Sequence, residues 1–406
     1  MRIILSLLSL STIVFARWTA IGPAGGPVYS GGISRTNPPV IYFSPYASPT
    51  KLLKSTDAGT TWEFTNGTLS TYPREIVVHP HNPDIVYALT GSAIYKTTNG
   101  GSSWTLNSVP ASHYFYTFTI NPLNPDELFA AGYNYTGGSA RLAFARSTNA
   151  GVSWTTTICD TTPSSYGYSI AVDPVDTSVI YVGGYRSTGG TTTLYRSFDR
   201  GETWEEINLA ITGYYPYALH INPANNNIIL IAPYTSGIYR STDRGATWTR
   251  TAIITSVYRI ASAAGEPATV YATNSSGIYK STDAGITWTR IGTGVLGTPN
   301  YCLLTNPVDP GTVYFGTKVG FYRSTDYGVT WENTTNTISF NKTTVIALAS
   351  DNATVYTECL DNAIYRSTDN GASWERCPDF LSCGNICGIA VHPSDPQTVW
   401  ALEGSG

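Results

Sequence analysis

The chain has 406 residues, of which only 12% are charged, with 23 Lys and Arg set against 27 Asp and Glu for a net charge of −4. That balance offers no basic surface for nucleic acid or for an anionic membrane. Tyr (29) and Gly (38) are abundant and Met occurs once; the scarcity of Lys, Glu and Met beside so many aromatic and β-branched residues excludes a helix-rich chain and favours an all-β one.

Residues 1–16, MRIILSLLSLSTIVFA, carry one positive charge at Arg2, an apolar run, and Val14-Phe15-Ala16 ahead of Arg17. This is the pattern of a secretory leader cleaved after Ala16, and about 13 apolar residues are too few to span a bilayer. The expectation is an exported monomer without membrane insertion, with residues 17–406 as one domain.

One pattern organises that domain. The stretch [KR]-[ST]-x-[DN]-x-G-x-[TS]-W occurs eight times, centred on Asp57, Asn99, Asn149, Asp199, Asp243, Asp283, Asp326 and Asp369, at intervals of 42, 50, 50, 44, 40, 43 and 43 residues. Such a period denotes a repeat architecture. Asp or Asn two residues before Gly is turn chemistry, because the side chain accepts backbone N–H groups and Gly takes a positive φ. An apolar-aromatic pair such as Ile238-Tyr239 or Ile278-Tyr279 precedes the turn and an alternating Thr-Trp-Thr-Arg follows it, so the box reads as a hairpin whose Trp packs on a neighbouring unit.

The second repeat divides into four strands. Glu75–His79 is strand A, Val86–Leu89 strand B, Ala93–Lys96 strand C and Ser103–Leu106 strand D. Proline-bearing turns at Pro80, Pro122, Pro174, Pro223, Pro307 and Pro393 stop successive A strands. Four antiparallel strands repeated radially make a β-propeller blade. Arg17–Gly22 reads as a lone strand D, and Ile386–His392 with Val399–Leu402 as strands A and B. The count is therefore eight complete Asp-box blades plus parts of a ninth, in one ring or in a protein truncated at its C-terminal end.

The box itself resembles the Asp-box (BNR) repeats of sialidases, xyloglucan-degrading hydrolases, sortilin-type receptors and photosystem II stability factors. That resemblance implies a β-propeller and leaves function open, since enzymes and non-enzymes share it. A sialidase resemblance would imply an arginine triad and a Tyr–Glu pair. Here Arg146, Arg196, Arg240, Arg323 and Arg366 belong to boxes, and Tyr258-Arg259-Ile260-Ala261 only partly matches the Phe-Arg-Ile-Pro signature. Ile21-Gly22-Pro23-Ala24-Gly25-Gly26 is similar to the start of xyloglucan hydrolases. Their early catalytic acid has no counterpart in Phe43-Ser44-Pro45-Tyr46-Ala47-Ser48.

Strand alternation puts the A–B turns and boxes at one end of the blades and the variable B–C and D–A connections at the other. The variable end is rich in tyrosine: Tyr114, Tyr116, Tyr133, Tyr135, Tyr166, Tyr185, Tyr214 and Tyr215 are the candidate ligand-binding residues, suited to sugar rings or a peptide. Packing of strand ends and inter-blade seams is the competing role. The acids available there are Glu75, Asp160, Glu358, Asp361 and Asp379. Glu358, Asp361 and Asp379 form the one grouping that approaches the two carboxyls of a glycosidase, with solvated loop acids as the alternative identity. Cys359, Cys377, Cys383 and Cys387 are disulfide candidates with pairing open, while Cys-x5-Cys-x3-Cys is not a usual zinc spacing. No metal or cofactor is called for. Asn-x-Ser/Thr triplets begin at Asn66, Asn134, Asn274, Asn333, Asn341 and Asn352. The function expected is a non-catalytic binding or scaffold module for a glycan or an extracellular protein or peptide. The alternative is a glycoside hydrolase of the xyloglucanase-like type, forming part of a two-propeller enzyme.

Overall fold

The computed structural model describes residues 28–45, 50–107, 109–209, 211–263, 265–293, 295, 299–318, 320–335, 345–348, 351, 354–358, 364–369, 374–377, 386–392 and 395–403. The proposed leader, the strand at Arg17–Gly22, Asp361, Asp379, Cys359, Cys383, Asn341 and Asn352 lie outside these residues, as do the side chains of Glu358 and Cys387.

Each box folds as its turn chemistry requires. In the fifth, Ser241 Oγ donates to Asp243 Oδ1 (2.7 Å) and accepts from Gly245 N (2.8 Å), while Thr247 donates its N–H to Oδ1 (2.8 Å) and its hydroxyl to Oδ2 (2.5 Å). Asn99 and Asn149 keep this geometry by reversing one bond. Their Nδ2 donates to the hydroxyls of Ser103 (2.9 Å) and Ser153 (2.8 Å). Arg244 and Gly245 both take left-handed φ, 58° and 91°, which closes the turn.

The boxes join strands C and D of four-stranded antiparallel sheets in the order A-B-C-D. Seven of these, at 28–64, 75–107, 113–158, 165–207, 216–252, 259–291 and 299–333, are blades 1 to 7. In blade 2 the observed strands, Glu75–Val78, Val86–Leu89, Ile94–Thr97 and Thr105–Asn107, match the expected ones to within one residue at each end except the last strand's start, which falls at Thr105 instead of Ser103. Box tryptophans fill the seams between blades as anticipated: Trp248 packs with Tyr239 and Ile231 of its own blade against Ile207 and Leu209 preceding it.

A second contact runs from blade to blade. The basic residue that opens the box reaches the carbonyl of the left-handed residue in the next box. Lys96 meets Ala150 O (3.3 Å), Arg196 meets Arg244 O (2.9 Å), Arg240 meets Ala284 O (2.9 Å) and Lys280 meets Tyr327 O (3.0 Å). Strand-B tyrosines reinforce two of these seams, Tyr87 to Ala150 O and Tyr181 to Arg244 O.

This contact decides the size of the ring. Arg323 Nη1 and Tyr314 OH of blade 7 donate to Ala58 O of blade 1, at 2.8 and 3.1 Å. Beneath them Phe321 stacks on Phe43 (ring centres 5.0 Å apart) and meets Trp62 edge-on, and strand A of blade 7 packs on strand A of blade 1. The ring therefore has seven blades, not eight with parts of a ninth. The eighth box lies in a further four-stranded sheet at 345–376, which packs on the strand pair Ile386–His392 and Asp395–Glu403 through Tyr356, Ile364, Ile389 and Val391. A box pattern repeated without change past the seventh copy carries no signal that blade 7 has already found blade 1.

Candidate functional site

The variable end is shaped by a recurring irregularity in strand A. In blades 3, 4 and 5 the A–B register slips between Thr117 and Phe115, Ser169 and Gly167, and Ala218 and Pro216. Tyr116, Tyr168 and Tyr217 are the extra residues. A bulge bends the strand and re-aims its side chain, so each of these tyrosines turns out of the ladder at the start of the innermost strand. Glycine makes room for their neighbours: a Cβ on Gly91 (φ +93°) would stand 2.5 Å from the Tyr114 ring, and one on Gly132 would stand 2.0 Å from the Tyr114 carbonyl.

The tyrosines meet in one unbroken network. Tyr114 stacks near Tyr133 (5.6 Å between ring centres), Tyr116 on Tyr168 (4.6 Å), and Tyr133 abuts Tyr166 (5.3 Å). Tyr168 continues to Tyr215 (4.7 Å), which touches Tyr185 (4.7 Å) and Tyr214 (6.1 Å). Tyr217 then leads to Tyr234 (6.0 Å) and Tyr258 (6.2 Å). Seven of the eight candidate tyrosines are thus brought together across blades 3 to 5. Tyr135 is not: it is exposed at a hairpin tip, its hydroxyl on Gly138 O. Tyr234 and Tyr258 extend the arc into blade 6. Single tyrosines without a nearby partner in sequence, they were missed; aligning the starts of the A strands would have found Tyr258. Most of these tyrosines sit within strands, at the ends of Ser165–Val172, Leu128–Thr136 or Ile180–Arg186 for example, rather than in connections.

The Tyr116, Tyr133 and Tyr185 hydroxyls are pushed up first by burial and then by neighbouring tyrosines, and Tyr168 most of all. At one end of the arc Arg74 of blade 2 lies over Tyr114 and Tyr116, 5.5 and 5.3 Å from their ring centres, and its Nε donates to Tyr114 OH (3.2 Å).

Carboxylates at this end are engaged by guanidinium groups. Arg259 Nη2 of blade 6 lies 3.1 Å from both oxygens of Glu75 of blade 2. Burial raises the Glu75 carboxyl above its ordinary range despite Arg259. Beside them the Cys302 thiol is pushed up to about 12 by burial. Asp160 takes Arg186 Nε (2.7 Å), and the same guanidinium holds both oxygens of Glu206 (2.9 and 2.8 Å) and Tyr195 OH (2.6 Å). Below the Glu75–Arg259 pair the channel opens into a cavity of about 470 Å³ lined by Val77, Ile120, Val172 and Leu304, with Pro80, Pro122 and Pro174 at its far end. Among the described residues no group of three or more His, Cys, Asp and Glu is placed to hold a metal. Two of the Asn-x-Ser/Thr sites are poor acceptors for glycosylation, because Asn134 and Asn274 are buried and donate to the carbonyls of Ser112 and Thr255.

The Sortilin-Vps10 family model (sortilin, neurotensin receptor 3) matches residues 50–187. Among solved structures, an ancestral GH74 enzyme superposes with a TM-score of 0.68 at 19% identity, over 96% of this chain and 60% of its own. The GH74 enzyme of Niastella koreensis gives 0.52 at 18% identity, over 92% and 68%. YCF48 bound to D1 peptide gives 0.54 at 15% identity, over 75% of this chain and 94% of that one. This chain therefore spans about 60% of the length of the ancestral GH74 enzyme. No curated protein matches its sequence. At such identities the likeness is one of fold. The repeated box, the four-stranded blades and the ring they close give the chain an Asp-box β-propeller fold.

Proposed function

We propose that this chain is an exported, non-catalytic binding module that holds a glycan or a protein ligand against its tyrosine face. The continuous arc from Tyr114 to Tyr258 carries the reading. Tyrosine supplies flat apolar area and a hydroxyl at small entropic cost, and an arc spanning four blades offers both along a path that a single packing tyrosine would not need. Of the described acids flanking the arc, Asp160 is held by Arg186 below its ordinary range despite burial, which does not suit a glycosidase's proton donor, whereas Glu75 is paired with Arg259 and raised by burial.

Hydrolysis of the xyloglucanase type is the second reading, favoured by the likeness in fold to GH74 enzymes. It would draw on Glu358, Asp361 and Asp379. A protein ligand finds a parallel in YCF48, a propeller of similar fold seen with a peptide.

The test is retention on immobilised glycan and peptide arrays. The Tyr133→Ala/Tyr214→Ala/Tyr215→Ala variant should lose the ligands that the parent retains while melting as a folded ring. Unchanged retention would remove the arc as the site. Release of reducing sugar from a polysaccharide panel, abolished by Glu358→Gln or Asp361→Asn, would establish the hydrolase instead.

A further inference from the structure

Superposing the blades by A–B register puts one residue of each at a shared position. Tyr116, Tyr168 and Tyr217 precede Thr117, Ser169 and Ala218, which pair with Ala131, Gly183 and Ala232. By the same register Tyr29 precedes Ser30 (paired with Ser44), Arg74 precedes Glu75 (paired with Leu89) and Tyr258 precedes Arg259 (paired with Thr273). In blade 7 Tyr301 stands two before Leu303, which pairs with Phe315. Six blades of seven thus place tyrosine there, and the other places arginine. Where both side chains are described, successive members touch: Arg74 with Tyr116 at 5.3 Å, Tyr116 with Tyr168 at 4.6 Å, Tyr168 with Tyr217 at 5.5 Å and Tyr217 with Tyr258 at 6.2 Å.

The next residue inward differs from blade to blade, and two of these residues meet. Glu75 and Arg259 come from blades on nearly opposite sides of a seven-membered ring, so their ion pair lies across the channel directly beneath the tyrosines. The pair also lines the cavity of about 470 Å³ below it.

Resting on the reading of this face as a ligand site, we propose that Arg74, Tyr116, Tyr168, Tyr217 and Tyr258 form a collar that takes the end of a neutral glycan chain, with the Glu75–Arg259 pair as its floor. The floor blocks threading, so the occupant is a terminus and not a strand passing through. The chemistry selects neutral hydroxyl groups. Phenols both donate and accept hydrogen bonds. The ion pair adds acceptors on Glu75 and donors on Arg259 with no net charge, which complements vicinal hydroxyls better than it does an anion or a cation.

Calorimetric titration with cello-, manno- and malto-oligosaccharides tests this, using the tetraose and hexaose of each. At least one series should bind, with tetraose and hexaose affinities agreeing within about twofold because only the end is held. Tyr116→Ala, Tyr168→Ala and Tyr258→Ala should each weaken it by about tenfold or more, and Tyr135→Ala by less than about twofold. Tyr116→Phe and Tyr258→Phe, with melting curves for all variants, separate loss of a contact from loss of the fold. Binding that falls with Tyr185→Ala and Tyr214→Ala but not with Tyr116→Ala or Tyr258→Ala would overturn the collar and leave the arc standing as a lateral site. Affinity that climbs steeply from tetraose to hexaose would overturn end recognition. Failure of every series to bind at millimolar concentration would overturn the glycan assignment of the collar, whereas the array experiment above decides separately whether the face binds anything.

Discussion

Removing the donors at the ring's closing seam should open it, and the expected cost follows from three groups. Arg323 Nη1 and Tyr314 OH share one acceptor, Ala58 O. Arg323 also pairs with Glu332, but that carboxylate is 58% exposed, so the pair adds only about 0–1 kcal/mol. A hydrogen bond from a charged donor contributes about 1.5–3 kcal/mol and one from a neutral phenol about 1. Arg323→Ala should therefore destabilise by about 2–3 kcal/mol and Tyr314→Phe by about 1 kcal/mol. Either single change leaves the other donor on the carbonyl. The double change leaves it with neither, so it should cost more than the sum by about 1 kcal/mol. For a ring of about 300 residues unfolding with an entropy of about 0.6 kcal/mol/K, Arg323→Ala corresponds to a fall in Tm of about 3–5 °C in scanning calorimetry. Additivity within error, or an Arg323→Ala melt that coincides with the parent, would refute closure through this carbonyl.

Asp243→Asn should cost less than about 1 kcal/mol, because Asn99 and Asn149 show the amide donating where the aspartate accepts, whereas Asp243→Ala should cost about 1–2 kcal/mol, as loss of a capping side chain does; urea unfolding measures both. Gly245→Val, at φ +91° with a Cβ 3.2 Å from Ile207, should cost about 1–3 kcal/mol on the same curves. The Asp243 and Asp326 carboxyls are held down at about 2, chiefly by the hydroxyls of Thr247 and Thr330. Their folded value lies below the unfolded value of about 4, so the stability they contribute is complete above pH 4 and is lost as pH falls toward 2. Hydrogen exchange at about pH 1.5, below that folded value, should therefore show the Thr247 and Thr330 amides exposed while those of Ser103 and Ser153, held by Asn99 and Asn149, stay protected; equal loss in all four would contradict the assignment. Cys302, buried and with its thiol pushed up to about 12, should alkylate only as the ring unfolds, which mass spectrometry after maleimide treatment would report.

Much of the fold is legible because the box is local. The Ser241, Asp243 and Thr247 side chains bond within the box, so nine residues suffice to announce each hairpin. The blade count of the ring is a different kind of fact. It depends on which box carbonyl Arg323 meets, and Arg366 of the eighth box stands in the same Tyr-Arg-Ser-Thr-Asp run. The tyrosine face was half legible. Pairs such as Tyr114 with Tyr116 and Tyr214 with Tyr215 stand out in sequence, whereas Tyr234 and Tyr258 join the arc only through the curvature of the ring. The bulges that turn Tyr116, Tyr168 and Tyr217 toward the mouth leave no local signature beyond an odd spacing between aromatic and apolar positions. Nor does spacing tie Glu75 to Arg259, which lie 184 residues apart.

The central claim is that the tyrosine-lined mouth of the ring is the ligand site. Calorimetric titration of the array's tightest ligand into the parent and into Tyr116→Ala/Tyr168→Ala/Tyr217→Ala tests it most directly. With each aromatic anchor contributing about 1–2 kcal/mol, affinity should fall by at least about 100-fold in a variant that remains folded. Affinity within about twofold of the parent would contradict the claim, since a ligand indifferent to all three tyrosines is bound elsewhere.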